Sequence, residues 1–204
     1  MTASLAQAEK DRSDFRTIIT GGTKLGLIVA AAVVLYLAAG RYAPEGGLRT
    51  GLLALLVLLG GTAAAFLPGL WCASRSVEGI AGAAALGLWG TVVFAVIDIA
   101  VLRPLHAYPW TWDDVGGGMT WWYLPMWWML GTFLAWMGGL VVAGEAKRRQ
   151  PSLVRVAAPV VAGAILLAAV AGFAHLQILL PVAAGAGFAV TLVGFGLTTL
   201  LRRA

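Results

Sequence analysis

Charged side chains are scarce in this sequence. Only 11% of the 204 residues are charged, whereas 60% are hydrophobic and the mean hydropathy is +0.88. Because a soluble domain carries roughly a quarter charged residues, this composition excludes an ordinary soluble fold and indicates a membrane protein. The formal charge of +5 is not carried on a soluble basic module, so we expect no nucleic-acid partner.

Residue types that perform catalysis or bind metals are also few. The single cysteine, Cys72, excludes an internal disulfide and a CxxC redox pair. The five serines all fall in boundary or cytoplasmic segments of the predicted topology, so a buried serine nucleophile is missing. No HExxH motif or clustered carboxylates support a metallopeptidase. We therefore expect neither an enzyme nor a metal site.

Six long apolar runs are present, separated by short polar or Pro/Gly-containing breaks. A membrane-spanning helix needs about 20 mostly apolar residues, and its backbone must be hydrogen-bonded within the segment. The sequence therefore predicts an all-α polytopic membrane protein, a bundle of six transmembrane helices. The runs lie near residues 25–39, 51–70, 80–102, 121–143, 156–178 and 181–201, with a very tight connection between the last two.

The distribution of basic residues predicts the orientation, because Lys and Arg in short loops are retained in the cytoplasm. With both termini cytoplasmic, eleven of the 14 Lys and Arg residues lie inside and only Arg41, Arg49 and Arg103 lie outside. We expect a multi-pass protein of the cytoplasmic (inner) membrane that contacts anionic lipid. The predicted parts are a cytoplasmic segment at 1–24, one transmembrane domain at 25–201 and a basic tail at 202–204.

Small residues every four positions predict where the helices pack, and they also indicate where rare polar groups point. The predicted small-residue faces include Gly61, Ala65 and Gly69 on helix two and Gly79, Ala83, Gly87, Thr91 and Ala95 on helix three. Asp98 follows Thr91 by seven residues on helix three, and His175 follows Ala168 by seven on helix five. Seven helical steps return close to the same face, so both side chains are expected to face the interior near the outer surface. An ionisable group there is a functional-site hypothesis, with a structural Asp98–His175 or Asp98–Arg103 pair as the alternative.

Five of the nine tryptophans lie between residues 119 and 139, just after the loop at 103–120. Five aromatic residues at or near the loop fit an interfacial belt, namely Trp110, Trp112, Trp121, Trp122 and Tyr123. Trp127 and Trp128 lie about 7–10 Å deeper at 1.5 Å per residue, so they need packing or a ligand. The candidate ligand-binding residues are Asp98, Arg103, Trp122, Trp127, Trp128 and His175.

Two functions fit these features. The first is a non-catalytic integral membrane subunit or scaffold of a complex, whose aromatic outer side holds lipid, quinone or pigment. The alternative is a small transporter or substrate-capture component with an outward-facing Trp/Asp/His pocket. The expected partners are membrane lipid, other membrane-protein subunits and a small hydrophobic ligand. The sequence specifies no cofactor.

Overall fold

A computed structural model of the chain describes residues 12–108 and 123–202. Within these ranges six helices are long and apolar enough to cross a membrane, which confirms the predicted count and the all-helical class. We number them α1 to α6, and α3 continues directly into a π-helical segment, Asp98–Leu102. The helices are α1 Phe15–Tyr42, α2 Gly47–Trp71, α3 Val77–Ile97, α4 Tyr123–Ala146, α5 Leu153–Phe173 and α6 Leu180–Leu201.

The first helix begins ten residues before the predicted apolar run. The Asp14 carboxylate caps it, accepting hydrogen bonds from the Thr17 backbone N–H at 3.0 Å and from the Thr17 hydroxyl at 2.7 Å. A capping Asp satisfies backbone donors that the helix leaves unpaired at its start. Because these first turns are polar, an apolar window does not detect them.

The fifth helix ends at Phe173, although the apolar run was predicted to continue to residue 178. His175 adopts a left-handed conformation with φ 52°. Its N–H donates to the Gly172 carbonyl, and the Leu176 N–H donates to the Ala171 carbonyl, both at 3.0 Å. This hydrogen-bond pair is the Schellman termination of a helix. The connection between α5 and α6 is longer than predicted, because residues 174–179 join the two helices where the sequence predicts only residues 179 and 180. The two helices pack against each other.

Contacts along the helices show that they alternate in direction. Gly87 lies beside Ala135 and Ala83 lies beside Gly139, so α3 and α4 are antiparallel. Close contacts between the other helix pairs show that α5 and α6 are also antiparallel. Helix α1 runs parallel to α3, and helices α2 and α6 both run parallel to α4. Helix α2 contacts each of the other five helices and forms the centre of the bundle. We call the end where α3 finishes the Asp98 end, and the end where α4 finishes the Arg148 end.

Close contact at small residues holds α2, α3 and α4 together. A methyl group added at Gly138 of α4 would lie 1.8 Å from the carbonyl oxygen of Ala65 in α2. One added at Gly131 would lie 2.1 Å from Cγ2 of Thr91 in α3. Backbones approach this closely only where a side chain is missing, which is the usual packing of helices in membranes. The small-residue faces predicted for α2 and α3 are thereby confirmed.

Replacement of Gly138 by Ala tests this packing. The new methyl group would collide with backbone rather than with a flexible side chain, so α2 and α4 must separate. We expect the free energy of unfolding to fall by about 1–3 kcal/mol, the usual cost of overpacking a core. Unfolding of the purified protein in a denaturing-detergent titration measures the change.

The matched control is Gly194→Ala in α6, where an added methyl group has no neighbour within 4 Å. Its stability should equal that of the unmodified protein or exceed it slightly, because Ala favours helix over Gly. Equal effects of the two substitutions would contradict the packing described here.

Candidate functional site

A buried carboxylate lies at the end of α3. Asp98 has no exposed surface. Its Oδ2 accepts hydrogen bonds from Arg103 Nε at 2.9 Å and from the Tyr123 hydroxyl at 3.0 Å. Its Oδ1 accepts a hydrogen bond from the Tyr108 hydroxyl. We call these four residues the Asp98 cluster. Both carboxylate oxygens have donors, as a buried charge requires.

The π-helical segment brings Arg103 to Asp98. The Arg103 N–H donates to the Asp98 carbonyl at 2.9 Å, a spacing of five residues where an α-helix would use four. The wider turn places the guanidinium of Arg103 against the carboxylate five residues earlier. Single π-helical turns occur frequently at functional sites, because they redirect one side chain without ending the helix.

A second local feature returns the chain to this carboxylate. His106 has φ 48°, its N–H donates to the Arg103 carbonyl, and the Ala107 N–H donates to the Leu102 carbonyl, both at 3.0 Å. This is the same Schellman termination that ends α5. It reverses the chain so that Tyr108 reaches Asp98. The exposed His106 therefore has a backbone role at this position.

Aromatic rings surround the cluster. The rings of Phe94 and Trp127 meet edge to face with centroids 5.6 Å apart, and those of Tyr123 and Trp127 are 5.9 Å apart. The guanidinium carbon of Arg103 lies 4.7 Å from the centre of the Tyr123 ring, a cation–π distance. The Asp98 side chain of the ion pair is fully buried, which strengthens its electrostatic attraction to Arg103.

Burial, followed by the hydrogen bond to the Asp98 carboxylate, raises the pKa of the Tyr108 hydroxyl well above its ordinary value of 10.0. Tyr108 therefore stays a neutral donor throughout the physiological pH range.

The Asp98 cluster joins α3, the chain after it and α4 through one carboxylate. Both oxygens of this carboxylate already accept hydrogen bonds, so the chemistry of the cluster is that of a structural ion pair. Among residues 12–108 and 123–202, no group of three or more His, Cys, Asp or Glu residues could hold a metal ion.

The structure brings three of the predicted site residues together, namely Asp98, Arg103 and Trp127. Trp128 follows Trp127 by one helical step of about 100° and lies 38% exposed on the outside of α4. Trp122 lies outside the described residues, as do the other loop residues from 109 onward. Of the alternatives for Asp98, the pair with Arg103 is the one that the structure shows.

The expectation that His175 faces the interior beside Asp98 is wrong. The helical arithmetic assumed that α5 continues through residue 175, but the helix ends at Phe173 and His175 occupies the left-handed position that terminates it. Its side chain is exposed. Histidine is one of the residues enriched in this conformation.

Sequence reasoning missed both tyrosines of the cluster. Tyr123 was placed in the interfacial belt because of its position, and Tyr108 was not considered. A usable signal existed, because a carboxylate inside a membrane protein requires donors, and tyrosine hydroxyls are present in the chain that follows Asp98. Tyr108 reaches Asp98 only because the chain reverses at His106, which the sequence pattern does not indicate.

An open pocket of about 410 Å³ adjoins the cluster at the Asp98 end. It lies where α1 ends, α2 begins and the chain leaves α3. Tyr108 belongs both to this pocket and to the Asp98 cluster. We call it the Tyr36 pocket, and its lining is Tyr36, Leu37, Gly40, Arg41, Arg49, Leu53, His106, Ala107 and Tyr108.

Comparison of the chain with protein-family models, with curated proteins and with solved structures gave no significant match.

Conservative substitutions test whether the Asp98 cluster stabilises the fold. Asp98→Asn keeps the shape but removes the buried charge that pairs with Arg103 and replaces an acceptor oxygen by an amide donor, so we expect a loss of about 3–5 kcal/mol in unfolding free energy. Tyr123→Phe removes the hydroxyl that donates to the carboxylate and should cost about 1–2 kcal/mol. Detergent-induced unfolding measures both. Tyr42→Phe, at a residue 78% exposed, is the control and should change nothing.

Tyrosine ionisation tests the environment of Tyr108. The folded state holds this proton while the unfolded chain releases it near pH 10, so the stability that Tyr108 contributes is present below about pH 10 and falls as the pH rises further. At about pH 11 the folded protein and its Tyr108→Phe variant should therefore show the same tyrosinate absorbance. After denaturation the unmodified protein should show one tyrosinate more. A lower signal in the folded variant would contradict the raised pKa.

Proposed function

We propose that the chain is a non-catalytic, multi-pass subunit or scaffold of a membrane complex that holds a small amphipathic molecule at its Asp98 end. The Tyr36 pocket is the observation that carries this proposal. Apolar side chains of α1 and α2 form one part of its wall, and cationic and hydroxyl groups form another. This mixture is typical of small-molecule sites, in which a few polar groups orient a mainly apolar ligand.

The chemistry of the lining favours a quinone, a lipid headgroup or a pigment with oxygen acceptors. Arg41, Arg49 and His106 present N–H donors at the pocket, and Tyr36 presents a ring face and a hydroxyl. The neighbouring Asp98 cluster supports a scaffold role, because its carboxylate is saturated and keeps the helices in one arrangement. The ring contact between Trp127 and Phe94 packs the same end of α4 against α3.

The orientation in this proposal follows the distribution of basic residues. The Arg148 end then faces the cytoplasm and the Tyr36 pocket opens on the opposite side of the cytoplasmic membrane. A cysteine substituted for Arg148 that reacted in intact cells with a reagent unable to cross membranes would contradict this orientation.

One observation favours the transporter alternative. Helix α3 leaves α-helical geometry at Asp98, and interrupted helices at ionisable residues are common in transporters. On this alternative Asp98 exchanges its partners during transport. Uptake by reconstituted vesicles that is lost in Asp98→Asn would support it over the scaffold proposal.

Filling the Tyr36 pocket tests the scaffold proposal. A Cβ atom added at Gly40 has no neighbour within 4 Å, so Gly40→Leu should fold while its side chain occupies the pocket. We expect the gently purified protein to show a bound small molecule by native mass spectrometry and, for a pigment or quinone, by absorption. Gly40→Leu should lose that molecule.

Gly194→Leu is the matched control, because its position is equally open but lies on α6. It should retain the bound molecule. Recovery of the unmodified protein alone, without a small molecule or a companion chain, would overturn the scaffold proposal. Retention of the molecule by Gly40→Leu would show that it binds elsewhere.

A further inference from the structure

A second cleft, of about 370 Å³, lies at the opposite end of the bundle. It forms where α4 ends, α5 begins and α6 ends. We call it the Arg148 cleft. Its lining is Val141, Gly144, Glu145, Lys147, Arg148, Arg149, Arg155, Val156, Pro159, Phe195, Thr198, Thr199 and Arg202.

Positive charge is concentrated in this cleft. Among the described lining residues, five are Lys or Arg, contributed by the α4–α5 connection, by the first turn of α5 and by the end of α6, and one, Glu145, is acidic. Cations gathered in this way repel one another, and an anion bound among them relieves the repulsion. The cleft therefore favours an anionic ligand.

Two of the five cations already have protein partners. Arg149 pairs with Glu145, and Arg155 donates to the Gln150 carbonyl at 3.1 Å. Within the described part of the chain, no carboxylate forms an ion pair with the other three, which are Lys147, Arg148 and Arg202. All three are exposed, so their charged groups are available to a ligand.

Part of the remaining wall of the cleft is apolar. Val141, Pro159 and Phe195 contribute hydrocarbon and ring surface, and Phe195 is 39% exposed. The cleft also sits where three membrane-spanning helices end, the level at which phospholipid headgroups lie. Val154 and Leu201 expose apolar surface on the adjoining flanks of α5 and α6. A ligand that fits both the basic part and the apolar part of the cleft has an anionic head and hydrocarbon chains.

We propose that the Arg148 cleft binds the phosphodiester headgroup of an anionic phospholipid. Lys147, Arg148 and Arg202 contact the phosphate, and the acyl chains lie along the exposed apolar flanks of α5 and α6. Basic pockets between membrane helices bind headgroups of this kind. The apolar wall favours a lipid over a free phosphate ion. This site rests on insertion of the six helices in a bilayer and does not depend on the Tyr36 pocket.

Native mass spectrometry and thermal unfolding test the proposal with defined lipids. Phosphatidylglycerol should bind and raise the unfolding temperature more than phosphatidylcholine does. The double variant Arg148→Gln, Arg202→Gln should bind phosphatidylglycerol about thirtyfold more weakly, since each cation near a membrane surface contributes roughly a fivefold change in affinity. High salt should weaken binding to the unmodified protein, because the attraction is electrostatic.

The control is Arg16→Gln with Lys24→Gln, which removes the same charge from exposed positions on α1. This variant should keep its preference for phosphatidylglycerol. An equal loss in both double variants would overturn the site, because general surface charge would explain the effect. Inorganic phosphate that raised the unfolding temperature as much as phosphatidylglycerol would overturn the lipid assignment. The variant Arg148→Gln, Arg202→Gln is shown to be folded when its unfolding temperature in phosphatidylcholine equals that of the unmodified protein.

Discussion

The close approach of α2, α3 and α4 is the constraint on which the rest of the structure depends. Helices surrounded by lipid gain little from hydrophobic burial, so van der Waals contact between backbones must hold them together. Gly138 against Ala65 and Gly131 against Thr91 provide that contact. The same contacts set the register of α3 against α4. That register brings Tyr123 and Trp127 to the level of Asp98.

Once the register is set, the buried carboxylate closes the end of the bundle. A charge without partners in this environment would be costly, and the chain leaves regular geometry twice to avoid that cost. The π-helical turn presents Arg103, and the reversal at His106 presents Tyr108. Each departure from the α-helix thus provides Asp98 with one donor. A saturated carboxylate of this kind is suited to fixing structure, which is why we favour a scaffold over a transporter.

The alternation of helix directions gives the two ends of the bundle different chemistry. Starts of even-numbered helices meet ends of odd-numbered helices at the Asp98 end, where tyrosines and arginines line a mixed pocket. At the Arg148 end, two chain segments that are distant in sequence, residues 147–155 and the end of α6, bring their basic residues to one cleft. A single up-and-down topology therefore provides two clefts of different chemical character, one at each end of the bundle.

The sequence by itself determined the six long apolar helices and the small-residue faces of α2 and α3, because both depend on composition and spacing within one helix. It also identified Asp98, Arg103 and Trp127, since rare polar and deep aromatic residues stand out against an apolar background. Only the tertiary structure decided which donors Asp98 receives, that α5 ends before His175, and that Arg148 and Arg202 share a cleft. These features depend on helix termination and on contacts between distant segments, where the periodicity of a single helix carries no information.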